Sequence, residues 1–177
     1  MVVPFVEENL QGGSLDLTLA PDIKVWEPKE WIGDPLSSRE LDVAIYPELD
    51  PSLPLPPMND YTIKDYWYLM PGDFIIASTV ERVSITTNMV AKVEGKSSRG
   101  RLGLSPIVGA GWIDPGFSGQ ITLEIVNQNP NCRIVLRPGM KICQIVFAML
   151  DRHARNPYQG RYQNQVGATA AREEKKV

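Results

Sequence analysis

Histidine and cysteine are almost missing from this chain: His153 is the single histidine, and Cys132 and Cys143 are the only thiols. A zinc deaminase needs a His/Cys ligand set that includes a PCxxC element. The chain has no such element, so any deamination it performs is expected to be zinc-independent. Two cysteines in this setting read as reduced, mostly buried thiols rather than a disulfide framework. Long apolar runs are missing too. None approaches the roughly 20 residues of a membrane helix, and residues 1–10 show no basic stretch followed by an apolar one. The expectation is a cytoplasmic protein without membrane contact. Nor is positive charge in excess: 18 Lys and Arg stand against 21 Asp and Glu, a net charge of -3. Bulk nucleic-acid binding leaves a strongly basic footprint, so nucleic acid is not an expected partner. A local basic pocket for one polyphosphate is compatible with this balance.

What is present suits one β-rich domain over residues 1–177. A hydrophobic fraction of 43% and a charged fraction of 22% are ordinary for a globular chain, and this length can bury a real core. Residues 14–19 alternate as SLDLTL, with Leu15, Leu17 and Leu19 on one face. Short β-rich runs follow at 74–80, 82–86, 121–126, 133–136 and 142–148. The pairs Pro71-Gly72, Pro115-Gly116 and Pro138-Gly139 are turn signals between them. Residues 90–94 could begin a short helix, but no long 3.6-residue stripe occurs. Many short strands with Gly/Pro turns indicate a sandwich, jelly roll or barrel. Residues 27–60 form a proline-rich excursion expected to pack on the body or on a neighbouring subunit, and residues 151–177 form a polar tail.

Two segments carry chemistry. Residues 94–103, EGKSSRGRLG, gather two serines and the cations Lys96, Arg99 and Arg101. Hydroxyls, backbone N–H groups and cations hold phosphate oxygens, and a solvated basic turn has the same composition. In residues 121–126, ITLEIV, strand alternation puts Ile121, Leu123 and Ile125 on one side and Thr122, Glu124 and Val126 on the other. A carboxylate there is a general acid or base with a tuned pKa, one half of a cross-strand ion pair, or part of an exposed strand face.

Residues 94–104 (EGKSSRGRLGL) together with 110–124 (AGWIDPGFSGQITLE) resemble the central motifs of dCTP deaminases. Residues 69–83 (LMPGDFIIASTVERV) resemble the leading hairpin of that family, and 136–147 (LRPGMKICQIVF) the strand that follows. Ser14-Leu15-Asp16-Leu17 resembles an N-terminal element, and 158–169 (YQGRYQNQVGAT) the closing C-terminal segment. The resemblance to the dCTP deaminase/dUTPase family implies an all-β, distorted jelly-roll (β-clip, dUTPase-like) subunit. It also implies a homotrimer with active sites at subunit boundaries. The implied reaction is hydrolytic deamination of dCTP to dUTP and ammonia, supplying dUTP or dUMP for thymidylate synthesis, with dUTP and dTTP as further nucleotide ligands.

Residue roles follow from the same resemblance. Lys96, Ser97, Ser98, Arg99, Gly100 and Arg101 match the loop that wraps the phosphates. Ser97 also matches a catalytic serine that holds the reacting water, and Arg101 an arginine that orients the catalytic carboxylate. Glu124 matches the general base, and Ala110 a residue whose carbonyl faces the water. Asp114 matches the aspartate at the deoxyribose, and Phe117 an aromatic against the sugar that would leave no room for a 2′-hydroxyl. The backbone of Thr122, Leu123 and Glu124 matches the segment that reads the pyrimidine edge. Tyr158, Arg161 and Gln165 match residues that fold over the nucleotide, so the tail is expected to order on binding. Magnesium is expected to enter on the triphosphate, without protein ligands of its own.

Ile107 and Gly109 stand where many deaminases carry His and Thr. The smaller Gly109 would leave room near C4 for a modified cytosine. Three alternatives stay open beside a simple deaminase: a bifunctional enzyme that releases dUMP and pyrophosphate, to which Gln144 and Trp112 point, a dUTPase on the same fold, and a non-catalytic binding module.

Overall fold

The computed structural model describes residues 1–26, 30–32, 43–45, 49 and 55–172. Most of the 27–60 excursion therefore lies outside the described residues, as does the end of the tail. In chain order the strands are β1 (Val2–Val3), β2 (Leu15–Thr18), β3 (Asp22–Val25), β4 (Glu30–Ile32), β5 (Val43–Ile45), β6 (Asn59–Thr62), β7 (Trp67–Leu69) and β8 (Phe74–Ser84). There follow β9 (Met89–Gly95), the one-turn helix α1 (Ser97–Gly100), β10 (Leu104–Ser105), β11 (Trp112–Ile113), β12 (Ser118–Asn127), β13 (Ile134–Leu136) and β14 (Lys141–Met149). Among the described residues no helix is long and apolar enough to cross a membrane.

Two sheets make the body. One runs β10-β12-β8-β3-β6, with β1 also on β8; the other runs β11-β9-β14-β2. A single apolar cluster draws Ile75, Leu123 and Ile125 from the first sheet and Leu17, Val93 and Ile145 from the second. Each such side chain, removed from water, contributes roughly 1.5–3 kcal/mol. On β12 the expected alternation is realised: Ile121, Leu123 and Ile125 are buried, while Thr122, Glu124 and Val126 are half-buried on the opposite face. The three Pro-Gly pairs turn as expected, with Gly72, Gly116 and Gly139 at φ of +83°, +89° and +76°, a region that residues with a Cβ rarely enter.

Three local expectations are corrected. Residues 90–94 are strand, not helix. Val90, Ala91 and Val93 are buried in β9, which pairs with β14 from Met89↔Met149 to Gly95↔Cys143, and that ladder overrides a short local helical tendency. The runs 74–80 and 82–86 are not two strands but one, β8. The polar break at Glu81 is a bulge: Arg82 faces Gln120 while Ser78 faces Thr122. Residues 69–83 are not a hairpin, because β7 pairs with β13 instead of folding back on β8.

Candidate functional site

The 96–101 turn bridges the two sheets. Lys96 leaves β9 with extended backbone, φ -81° and ψ 131°, and its carbonyl accepts the amides of Arg99 and Gly100 at 2.9 Å. The turn closes at Gly103, where an added Cβ would lie 2.8 Å from the Asn129 amide nitrogen, so only glycine lets the chain pass into β10. This leaves Ser97, Ser98, Gly100 and Arg101 exposed. Arg99 is half-buried, its Nε donating to the Lys141 carbonyl at 3.3 Å. Beside the turn lies a cleft of about 470 Å³ lined by Lys92, Glu94, Lys96, Ser97, Gly100, Ser105, Gln128, Gly111 and residues 106–109.

Glu124 does not line this cleft but contacts the 106–109 segment that does. Its Oε2 accepts the amide N–H of Val108 at 3.3 Å and that of Gly109 at 3.4 Å. Leu123 is wholly buried and pairs with Ala77 of β8, so neither its side chain nor its backbone faces a ligand here. The edge of β12 is open at this point. Ile121 N reaches Thr79 Oγ1 at 3.1 Å and Asn127 N reaches Asp73 O at 3.2 Å, both on the β8 side. Gln120 N points the other way, to Gln165 O at 3.0 Å. By antiparallel alternation, Thr122 and Glu124 turn their N–H and C=O groups to the outer edge. There β10 begins only opposite Val126. The Thr122 and Ser78 hydroxyls, on paired residues of β12 and β8, are buried and have no hydrogen-bond partner among the described residues.

The other expected residues fall in two places. Asp114 is exposed and accepts Trp112 Nε1 at 3.1 Å. Phe117 is buried and meets the Tyr158 ring edge-on at 5.6 Å. Ala110 is exposed next to Gly111, whose carbonyl accepts Val93 N at 2.7 Å. Gln144 sits at the base of the turn, donating to Gly95 O at 3.2 Å and accepting from Ser14 Oγ at 3.0 Å. Arg161 is exposed and donates to Arg172 O at 2.7 Å. Residues 163–165 of the tail dock on the β12 side of their own chain. Gln165 is buried and donates to Gln120 O at 2.8 Å, Asn164 N donates to Ser118 O at 2.7 Å, and Gln163 Nε2 donates to Gly116 O at 2.9 Å. The signal for this was its density of Gln and Asn, which can satisfy a free strand edge.

Within the subunit the 106–109 segment shares the cleft lining with the turn and donates two amides to Glu124. Among the described residues no hydrogen bond or ion pair joins Ser97 or Arg101 to Glu124. Sequence reasoning missed Asp16, a buried carboxylate ion-paired with Lys96, and the Lys92–Glu94 ion pair at the cleft wall. Asp16 was readable only as the polar half of an alternating strand.

A family model described as dCTP deaminase-like matches residues 1–150. A protein named dCTP deaminase, dUMP-forming, from Hydrogenobaculum sp. (strain Y04AAS1) is 42% identical over 172 residues, 97% of this chain and 86% of that one. A protein of the same name from Aquifex aeolicus (strain VF5) is 38% identical over 171 residues, 97% of this chain and 84% of that one. The crystal structure of 2′-deoxycytidine 5′-triphosphate deaminase from Agrobacterium tumefaciens aligns with a TM-score of 0.58 and 22% identity, over 83% of this chain and 42% of that one. At that identity the likeness concerns the fold, which is the distorted jelly roll that the motifs implied. With a family model over residues 1–150 of 177 and relatives matched along nearly its whole length, the chain belongs to the dCTP deaminase-like family.

Proposed function

We propose that this chain is a dCTP deaminase that releases dUMP, and that it works as a homotrimer whose sites lie between subunits. The observation that carries the reading is Glu124, a half-buried carboxylate held by two backbone amides beside an open stretch of strand edge. A pyrimidine can pair with the outward N–H and C=O groups of Thr122 and Glu124 as a further strand would, which brings C4 towards the Glu124 carboxylate. The release of dUMP, rather than the dUTP first expected from the motifs, is supported by the names of the relatives at 42% and 38% identity.

The turn at 96–101 of one subunit meets Glu124 of the next, with the exposed Ser97 and Arg101 supplying what Glu124 lacks in its own chain. Glu124 takes a proton from a water held by the Ser97 hydroxyl and the Ala110 carbonyl. The resulting hydroxide adds to C4 of the cytosine. Protonated Glu124 gives that proton to ring N3, takes the proton of the new C4 hydroxyl and passes it to the amine; the C4 carbonyl forms as the C4–N bond breaks and ammonia departs. One carboxylate does both jobs because its protonation state alternates. A second water then attacks the α-phosphate, separating dUMP from pyrophosphate, with Gln144 at the base of the turn on the phosphate side. Asp114 takes the deoxyribose hydroxyl, Phe117 and Tyr158 close on the sugar, and Ser98, Arg99 and Arg161 meet phosphates. Magnesium arrives as part of the substrate, since triphosphate oxygens suit a hard cation, and no zinc takes part.

The test is incubation of the protein with dCTP and magnesium, with and without a zinc-selective chelator, followed by nucleotide chromatography and assays for ammonia and pyrophosphate. Equal amounts of dUMP, ammonia and pyrophosphate are expected in both arms. Accumulating dUTP would overturn the second step. Loss of activity with the chelator, restored by zinc alone, would overturn the metal-free mechanism at carbon.

A further inference from the structure

The turn at 96–101 is held from beneath by a carboxylate that the proposed reaction does not use. Asp16, on β2, is 2% exposed. Its Oδ1 is ion-paired with the Lys96 ammonium, and its Oδ2 lies 3.6 Å from Lys141 Nζ and accepts Gln11 Nε2 at 3.3 Å. A second link runs parallel to this one: Ser14 Oγ donates to Gln144 at 3.0 Å, and Gln144 Nε2 donates to the Gly95 carbonyl at 3.2 Å. The N-terminal strand thus grips both residues that lead into the turn.

Lys96 is turned inward. Its side chain is 19% exposed, and its ammonium faces Asp16 rather than open solvent. At the same residue the backbone starts the turn, its carbonyl accepting the amides of Arg99 and Gly100. For Lys96 to reach a phosphate, it would have to leave Asp16 to Lys141, which is 38% exposed and 3.6 Å away. Breaking one side of a buried ion pair is strongly unfavourable. Arg101, by contrast, is exposed and makes no ion pair among the described residues.

We propose that Asp16 and Lys96 form a strut that sets the position of Ser97 and the turn for the triphosphate, so that Lys96 is a positioning residue and not a phosphate ligand. The proposal rests on the nucleotide reading above.

A double-mutant cycle tests it: Asp16→Asn, Lys96→Met and the pair, each measured for dCTP turnover and for calorimetric binding of dCTP and of inorganic tripolyphosphate. Each single change is expected to raise KM and weaken tripolyphosphate by about tenfold, less than the loss of a charge that itself meets the ligand would. The double variant should be no worse than either single, and kcat should stay within roughly threefold, marking a loss of binding rather than chemistry. Weaker binding in Lys96→Met with unchanged or tighter binding in Asp16→Asn would make Lys96 a direct ligand. A lowered melting temperature with unchanged KM would make the pair a fold element only. If Asp16→Asn does not fold, salt decides. Lys96→Met should keep the wild-type salt dependence of tripolyphosphate binding, and a shallower dependence would overturn the strut. A wild-type protein that binds tripolyphosphate and leaves dCTP unconverted would refute the deaminase reading while leaving the strut open to the same cycle. Failure to bind either ligand would overturn both.

Discussion

The carboxylate of Glu124 accepts the amide N–H of Gly109 at 3.4 Å, fifteen residues back along the chain. With the Val108 amide at 3.3 Å, this fixes one oxygen, Oε2, and leaves the other for a reacting water. Glu124→Gln keeps an oxygen that can accept both amides and removes the base. Deamination should therefore fall by about 10²–10⁴, while dCTP binding stays within roughly tenfold because the backbone edge that pairs with the base is untouched. Ammonia release and calorimetry on the purified variant check both halves. Near-normal turnover would end the proposed mechanism.

Part of this site was legible in the sequence. The ITLEIV run carries a period of two strong enough to place Glu124 opposite Leu123 and beside Thr122, and β12 keeps that pattern over its length. The Pro-Gly pairs gave the turns because Pro and Gly act on their own backbone, a purely local effect. Asp16 was not legible. Its burial depends on Lys96 and Lys141, 80 and 125 positions away, and nothing local in SLDL announces them. The helical expectation at residues 90–94 failed for the same reason, since their partners in the β14 ladder, from Gln144 to Ala148, lie far on in the chain. The tail reads as polar in the sequence, and polarity alone does not say that its Gln and Asn side chains will dock on a strand edge.

The two cysteines should differ sharply in reactivity. Cys143 is wholly buried, and burial, reinforced by the nearby carboxylates of Glu81 and Asp16, pushes its thiol far above the ordinary range. A raised pKa keeps the thiol protonated through neutral and mildly alkaline pH, and only the thiolate attacks. Cys132 is exposed. A disulfide reagent at neutral pH should therefore titrate one thiol per native chain and two after denaturation. Fast modification of both in the native protein would contradict the packing of β14.

Sharing of the site between subunits can be tested by mixing. Glu124→Gln and Ser97→Ala proteins should each be nearly inactive. If the turn of one chain serves Glu124 of the next, trimers assembled from both after joint unfolding and refolding contain some sites with both residues intact. Activity should then reappear, to roughly a quarter of wild type at equal mixing on a random-assembly count. Light scattering should report three chains per particle. A monomer, or a mixture as inactive as its parts, would count against the shared site.

Removing the tail after Arg155 should injure function more than fold. The apolar cluster is built mainly from the strands, and of the described tail residues Tyr158 packs against it. Truncation takes away the Tyr158 ring from Phe117 and the bonds from residues 163–165 to Gly116, Ser118 and Gln120. Each hydrogen bond contributes about 0.5–1.5 kcal/mol net, and the aromatic pair a similar amount. The melting temperature should drop by several degrees, yet far-ultraviolet dichroism should keep its strand signature. Turnover should suffer more, because the tail ends its run along β12 at Gln120, next to the open edge at Thr122 and Glu124. Without it, water reaches that edge and the sugar loses Tyr158, so kcat and KM should both worsen. The docked tail also bears on proteolysis. Trypsin should cut slowly after the exposed Arg155 and Arg161 even without nucleotide, since seated backbone must first open to be cleaved. Immediate nicking at both sites, or a truncated enzyme with unchanged kcat/KM, would show that these contacts neither hold the tail nor serve the site.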